Sequence, residues 1–143
     1  MKQQNKKSWQ TVLGFDFGTR SIGYAIAQSI TKTAEPLGAL TARKGKPDWI
    51  KIAQLITIWQ PNIIVVGIPY NFLNKDDNAT TKLALAFVKN FKKQFQIDIT
   101  TIDESLSSHE AKSMLFNTGK KLTKANIDAT AAQFILQSWV DEN

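Results

Sequence analysis

Residues 12–28, V-L-G-F-D-F-G-T-R-S-I-G-Y-A-I-A-Q, decide how this chain folds. Two apolar runs in this stretch are joined by a short turn with Gly18 at one end and Gly23 at the other, and this pattern predicts a β-hairpin. One carboxylate, Asp16, stands inside the first apolar run between two phenylalanines. A buried carboxylate is costly unless it is paired, hydrogen-bonded or bound to a metal. Asp16 is therefore the first candidate for a functional residue.

The composition is that of a folded domain with a basic surface. The chain has 143 residues, of which 43% are hydrophobic and 21% charged, and this is enough to bury a core. We predict a basic tail over residues 1–11 and a single domain over residues 12–143. Lysine and arginine number 18 against 12 acidic residues, and the net charge of +6 favours a nucleic-acid partner. Solubility alone can produce the same charge balance.

The sequence carries no signal for export or membrane insertion. The absence of cysteine fits a reducing compartment. The first ten residues lack the apolar segment of a signal peptide, and the longest apolar run, residues 63–68, is too short to cross a bilayer. We therefore expect a cytoplasmic protein without a membrane partner.

The order of the apolar runs predicts an α/β fold. Three runs near the N-terminus predict an antiparallel meander, and the β-branched run over residues 62–68 is typical of a central strand covered on both faces. The predicted strands cover residues 12–17, 24–30, 36–42, 62–68 and 97–102, and the predicted helices cover residues 47–59, 78–96, 110–116 and 127–140. These elements make a five-stranded mixed sheet, three antiparallel strands followed by parallel ones, with helices on its faces.

Carboxylates at three places in this arrangement could form one site. Asp16 lies in the first strand, Asp103 and Glu104 end the last strand, and Asp128 lies on the apolar stripe of the last helix. Sites in such sheets collect where strands end. Converging carboxylates suit Mg²⁺ or Mn²⁺, and two such ions can clamp the attacking and leaving oxygens of a phosphodiester. We predict metal-dependent hydrolysis at this site.

Each of these acids also has a structural interpretation. Asp16 could be a buried acid that is paired with Arg20 or with a nearby lysine. Asp103 or Glu104 could cap the helix that follows. Asp128 could simply stabilise the first turn of its helix, a contribution of about 0.3–1 kcal/mol.

Two basic segments and the hairpin turn are candidates for contact with a phosphate backbone. A hairpin turn without a ligand and two solvated charge clusters are the alternatives. The candidate residues are Thr19 and Arg20 in the turn, Arg43, Lys44 and Lys46 in a first basic loop, and Lys120, Lys121 and Lys124 in a second.

Four blocks of sequence carry a resemblance to a known family: G-F-D-F-G-T-R-S-I-G-Y-A (14–25), V-V-G-I-P-Y-N (65–71), D-E-S-L-S-S-H-E-A (103–111) and I-D-A-T-A-A-Q-F-I-L-Q-S (127–138). In these blocks the chain resembles the YqgF (RuvX) family of bacterial RNase H-like nucleases. That family was long described as Holliday junction resolvases and is now associated with maturation of the 5′ end of pre-16S rRNA. The resemblance implies an RNase H-like fold and a site for metal-dependent phosphodiester cleavage.

The resemblance also assigns roles to residues of this chain. It implies that Asp16, Glu104 and Asp128 are the catalytic, metal-binding acids, with Asp103 as the substitute for Glu104, and it adds Asn71 to the nucleic-acid contacts. Two departures stand out. Ser105 replaces the family's usual arginine, whose phosphate contact Arg20 or Lys121 would have to supply. Residues 72–74, Phe-Leu-Asn, replace the usual Met-Asp-Gly, so the family's substrate contacts in that loop are not carried over.

The sequence thus predicts a metal-dependent endonuclease, a monomer or weak homodimer, that processes the 5′ end of pre-16S rRNA, with ribosomal precursor particles as partners. The first alternative is a Holliday junction resolvase acting on branched DNA, which would need a dimer. The second is a non-catalytic RNA-binding factor in ribosome assembly. An ATPase of the actin and sugar-kinase type shares the Asp-x-Gly-Thr hairpin but needs a second domain, which disfavours it for 143 residues.

Overall fold

The computed structural model describes residues 8–68, 77–103 and 107–143. The strands in this part of the chain are β1 (Thr11–Asp16), β2 (Ser21–Gln28), β3 (Thr33–Arg43), β4 (Lys46–Pro47), β5 (Ile63–Ile68) and β6 (Asp98–Asp103). The helices are α1 (Trp49–Trp59), α2 (Asp77–Gln94), α3 (Ser107–Thr118) and α4 (Lys124–Glu142).

The described strands form one mixed sheet in the order β4-β3-β2-β1-β5-β6. Strands β1 to β4 pair antiparallel in sequence order, whereas β5 pairs parallel with β1 and β6 pairs parallel with β5. All six residues of β5 are buried, as its continuous apolar sequence predicted. The predicted hairpin at residues 12–28 is confirmed, and Asp16 pairs there with Gly23 of β2.

Helices cover both faces of the sheet. On one face α1 and α2 pack over an aromatic cluster in which Phe15 lies 6.0 Å from Phe87 and 5.9 Å from Phe91 between ring centroids. On the other face α4 packs over small and aliphatic residues of β1, β2 and β5, and α3 packs against α4. Each fully buried phenylalanine or leucine side chain stabilises the fold by about 1.5–3 kcal/mol.

A sixth strand appears where the sequence predicted a loop. Arg43 ends β3, and Lys44 and Gly45 then turn the chain back with φ angles of 50° and 80°. Two positive φ angles in a two-residue loop define the type I′ turn, which fits the twist of a hairpin. Lys46 consequently pairs with Arg43 in β4, so the basic segment over residues 43–46 is a hairpin rather than a mobile loop.

Two helices begin at other residues than the sequence predicted. Pro47 belongs to β4, and α1 begins after Asp48, whose carboxylate accepts hydrogen bonds from the amides of Ile50 and Lys51. The last helix begins before the predicted residue 127, and its N-cap is Thr123, whose hydroxyl accepts a hydrogen bond from the Asn126 amide. The helix therefore begins about one turn earlier than predicted, and Lys124 is its first residue.

The N-terminal end of the described chain joins the fold. Trp9 is buried and packs edge-on against Trp139 of α4, with ring centroids 5.5 Å apart. The amides of Gln10 and Thr11 both donate to Asn62 Oδ1, at 2.8 and 2.9 Å. The packed structure thus includes residues ahead of the predicted boundary at residue 12. None of the helices in the described ranges is long and apolar enough to cross a membrane.

Candidate metal and nucleic-acid site

Asp16 ends β1 on the face of the sheet that α4 covers. Side chains alternate between the two faces along a strand. Val12 packs with Leu136 of α4, and Asp16 has the same parity in β1, whereas Leu13 and Phe15 belong to the core under α1 and α2. Only 8% of Asp16 is exposed. The structure therefore places a buried carboxylate at the carboxyl end of a central strand, beneath the start of α4.

Gly23 brings Asp128 to the same point. This glycine is the residue of β2 that pairs with Asp16. A Cβ atom at Gly23 would lie only 1.9 Å from the backbone oxygen of Asp128, so α4 rests directly on the β2 backbone at this position. A single residue of β2 thus adjoins both acids, and Asp16 and Asp128 are neighbours on one face of the sheet.

Asp128 is a buried carboxylate with a donor on each oxygen. It is 4% exposed, which agrees with its predicted place on the inward stripe of the helix. The Ser21 hydroxyl donates to Oδ2 at 2.5 Å, and the Lys124 ammonium donates to Oδ1 at 2.7 Å. Both oxygens of the buried carboxylate thus have hydrogen-bond donors, without which its burial would be costly.

The structure does not bring Asp103 to the other two acids. Asp103 lies in register with Ile68, which belongs to the core under α1 and α2, whereas its neighbour Ile102 packs toward α4. Alternation therefore directs the exposed Asp103 to the face opposite Asp16. Glu104 lies outside the described residues. Within those that the structure describes, no three histidines, aspartates or glutamates form a metal-binding group.

The chemistry of the Asp16–Asp128 pair fits a divalent cation. Carboxylate oxygens are the hard ligands that Mg²⁺ and Mn²⁺ prefer. Asp128 already holds one cation, the Lys124 ammonium, at Oδ1. Two neighbouring buried carboxylates also repel each other unless positive charge lies between or beside them. Asp16 and Asp128 could therefore hold Mg²⁺ or Mn²⁺.

The hairpin turn after Asp16 is joined to the first basic segment. The Ala42 amide donates to the Arg20 carbonyl and the Gly45 amide donates to the Thr19 carbonyl, both at 2.9 Å. This brings together five of the predicted nucleic-acid contacts on an exposed edge of the sheet that we call the basic hairpin edge: Thr19, Arg20, Arg43, Lys44 and Lys46.

The second basic segment lies between α3 and α4 in the chain. Lys120 and Lys121 are exposed between α3 and α4. Lys124, which the sequence placed in the same loop, instead lies in the first turn of α4, and its ammonium is on Asp128. Asn71, the remaining predicted contact, lies outside the described residues. The basic hairpin edge thus adjoins the turn that follows Asp16, and Lys120 and Lys121 precede the helix that carries Asp128.

Sequence reasoning missed two partners of Asp128. The spacing of four residues between Lys124 and Asp128 is that of an ion pair on a helix and was the available signal. Ser21 carried no such signal, because its contact with Asp128 depends on where α4 rests on β2.

Comparison with known sequences gives one family and a consistent set of relatives. The model of a family described as RuvX: Holliday junction resolvase matches residues 10–142. A protein of Proteus mirabilis named "Putative pre-16S rRNA nuclease" is 44% identical over 134 residues, 92% of this chain and 96% of the relative. A protein of Yersinia pseudotuberculosis with the same name is 42% identical over 135 residues, 93% of this chain and 96% of the relative.

Among the solved structures with a similar fold are two Holliday junction resolvases. RuvC of T. thermophilus, solved in complex with a Holliday junction substrate, matches with a TM-score of 0.58 and 13% identity, covering 93% of this chain and 94% of that one. The Fowlpox virus resolvase, solved with substrate Holliday junction DNA, matches with a TM-score of 0.53 and 15% identity over 93% and 98% of the two chains. The predicted RNase H-like fold is thereby confirmed, with six strands rather than five in the described residues.

Proposed function

Because this chain belongs to the RuvX family, we propose that it is a divalent-metal-dependent endonuclease that cleaves phosphodiester bonds in structured RNA, with 5′-end processing of pre-16S rRNA as its function. The observation that carries the proposal is the buried pair Asp16 and Asp128 on one face of the sheet. Exposed basic residues follow Asp16 in the basic hairpin edge and precede the helix that carries Asp128. Ribosomal precursor particles in the cytoplasm are the setting that this function requires.

Asp16 and Asp128 would hold Mg²⁺ or Mn²⁺, with Glu104 proposed as the third ligand. When bound, the metal supplies an activated water and stabilises charge on the phosphate. Ser21 orients Asp128 through its bond to Oδ2. Burial of both aspartates under α4 keeps bulk water away from the carboxylates, which strengthens their attraction for a cation.

The basic segments would bind the substrate backbone. Arg20, Arg43, Lys44 and Lys46 with the Thr19 hydroxyl form one grip beside Asp16, and Lys120 and Lys121 form a second beside α4. We include Asn71 with them. Contacts to phosphates fix position and orientation but carry no sequence information. The substrate would therefore be selected by its shape, as is usual for double-stranded RNA.

We propose RNA rather than DNA as the substrate because of the names that its sequence relatives carry. The proteins named as pre-16S rRNA nucleases share 42–44% identity over more than nine-tenths of this chain. A Holliday junction resolvase is the second candidate, supported by the description of the matching family.

The two substrates can be compared in one assay. A labelled RNA with the pre-16S 5′ leader and a four-way DNA junction would each be incubated with Mg²⁺, with Mn²⁺ and with chelator. We expect metal-dependent cutting of the RNA that Asp16→Asn abolishes and Asp141→Asn, an exposed acid at the far end of α4, does not. Cutting of the junction alone would identify a resolvase. Binding without any cutting that depends on Asp16 would identify an assembly factor.

A further inference from the structure

The Lys124 ammonium contacts Asp128 at an oxygen that a bound metal ion would also need. Its ammonium is 2.7 Å from Oδ1 of Asp128, and the Ser21 hydroxyl is on Oδ2. The two partners differ in kind, because Ser21 is neutral and Lys124 brings a full positive charge. The side chain of Lys124 is 74% exposed while that of Asp128 is 5% exposed. A largely solvent-exposed cation thus contacts a buried carboxylate.

Helix electrostatics do not explain a lysine at this position. Thr123 is the N-cap of α4, so Lys124 is the first helical residue, where the positive end of the helix dipole disfavours a cation. A lysine four residues before an acid is also the weaker of the two orders for an ion pair along a helix. The presence of a lysine at position 124 is explained by its contact with the buried Asp128.

Charge balance around the acids explains what the ammonium does. Asp16 and Asp128 are neighbouring buried carboxylates, and like charges at short range destabilise each other. Lys124 supplies one positive charge to this group when no metal is bound. A divalent ion on Asp128 would compete for the same oxygen and would repel the ammonium. The metal and the Lys124 contact with Oδ1 are therefore alternatives.

We propose that Lys124 is a positioning residue that holds Asp128 as a substitute cation in the metal-free protein and leaves Oδ1 when a divalent ion binds. The inference rests on the proposed function for the existence of the metal site. Once released, the ammonium has the chemistry to bind a phosphate of the substrate, so metal loading would precede this contact.

The test is a metal-binding measurement on purified protein without nucleic acid. Mn²⁺ is titrated into the wild type, Lys124→Gln, Lys124→Arg and Lys51→Gln by calorimetry. Removal of the competing charge in Lys124→Gln should raise the Mn²⁺ affinity three- to tenfold. Lys124→Arg keeps the charge and should stay within about twofold of the wild type, and so should Lys51→Gln, which removes an exposed charge from α1 on the other face of the sheet.

Thermal melting gives a readout that is independent of affinity. In chelator Lys124→Gln should melt below the wild type, because Asp128 loses the ammonium on its Oδ1, and in saturating Mn²⁺ the difference should shrink. In the wild type itself, the side-chain nitrogen resonance of Lys124, assigned from its absence in Lys124→Arg, should shift on addition of Mg²⁺. This NMR measurement does not depend on how well the glutamine variant folds.

The outcomes separate this inference from the proposed function. If the wild type binds no Mn²⁺ at a site that Asp16→Asn removes, the proposed function fails. If it binds Mn²⁺ there but Lys124→Gln has unchanged or lower affinity, or the Lys124 resonance does not respond to Mg²⁺, only the inference about Lys124 is overturned.

Discussion

Asp16 is the residue from which the site is built, and its replacement separates a structural role from a functional one. Asp16→Asn keeps the size of the side chain and removes the charge that repels Asp128. We expect the metal-free variant to be at least as stable as the wild type, because carboxylate repulsion is relieved. We also expect the stabilisation by metal to disappear.

Melting curves in chelator and in Mg²⁺ measure both effects. A ligand at one hundred times its Kd stabilises the folded state by about 2.7 kcal/mol, and the wild type should show a gain of this size. Asp141→Asn is the matched control and should behave like the wild type. An Asp16→Asn variant that is unfolded in chelator would show that Asp16 holds the fold together and is not a metal ligand.

For individual residues, the sequence predicted whether a side chain is buried better than it predicted which groups that side chain contacts. The apolar stripe of the last helix placed Asp128 inward, and the structure buries it. The partners of its carboxylate depend on tertiary packing: Ser21 comes from β2, 107 residues away in sequence. Lys124 was predicted to contact phosphate from a loop; in the structure the helix starts about one turn earlier, and the Lys124 ammonium contacts Asp128.

The contact between α4 and β2 positions both acids. This contact requires a glycine at position 23, because a side chain there would collide with the backbone of Asp128. Gly23→Ala would place a Cβ atom in collision with the backbone oxygen of Asp128. Relieving this collision requires a backbone shift of β2 or of α4. We expect a loss of about 3 kcal/mol in unfolding free energy, at the upper end of the usual cost of overpacking. We also expect weaker metal binding and slower cleavage, because Asp128 moves away from Asp16.

Gly119→Ala is the control for this variant. Gly119 has a φ of 77° but no atom within 4 Å of an added Cβ, so its replacement strains the backbone by about 1–2 kcal/mol without moving α4. Urea unfolding and metal titration should give a stability loss in both variants but a loss of metal binding only in Gly23→Ala. Normal metal affinity in folded Gly23→Ala would mean that the close approach of α4 does not set the site.

Local sequence signals recovered most of the elements and failed where two signals compete. The hairpin at residues 12–28 followed from two apolar runs joined by a turn between glycines, and the buried strand β5 followed from a continuous β-branched run. Strand β4 was missed because a Lys44–Gly45 turn is a weaker hairpin signal than Asn-Gly or Asp-Gly. Thr123 and Asn126 are both good N-caps, and sequence does not show which one the chain uses.

At the scale of the molecule, the two basic segments should make binding salt-dependent. Each phosphate contact contributes about 0.7–0.9 to the slope of log K against log salt. Replacing Arg43, Lys44 and Lys46 by glutamine should therefore lower the slope for RNA binding by about 2–3 and weaken binding equally for unrelated sequences of the same shape. Filter binding across a range of KCl concentrations measures this slope.

The control removes the same number of positive charges from the C-terminal part of α2. Lys89, Lys92 and Lys93 are exposed there and were not predicted to contact nucleic acid. Their replacement by glutamine should change the slope by less than 1 by the same rule. If the α2 variant lowers the slope as much as the hairpin variant, overall charge and not the basic hairpin edge governs binding.

The order of elements together with four sequence blocks was enough to predict the fold, because strand order and burial leave few ways to assemble these elements. Asp16 and Asp128 lie on the same face of the sheet, Asp103 lies on the opposite face, and Glu104 lies outside the described residues. The assignment of these acids as metal ligands stays a prediction.

The central claim is that Asp16 and Asp128 hold one divalent metal site, and iron-directed backbone cleavage tests it most directly. Fe²⁺ binds oxygen-donor sites of this kind, and with peroxide it generates radicals that cut the peptide chain close to the bound ion. We predict cuts near Asp16 and near Asp128 that excess Mg²⁺ suppresses and that Asp16→Asn removes. Cuts at other places, or cuts at these places that persist in Asp16→Asn, would contradict the account.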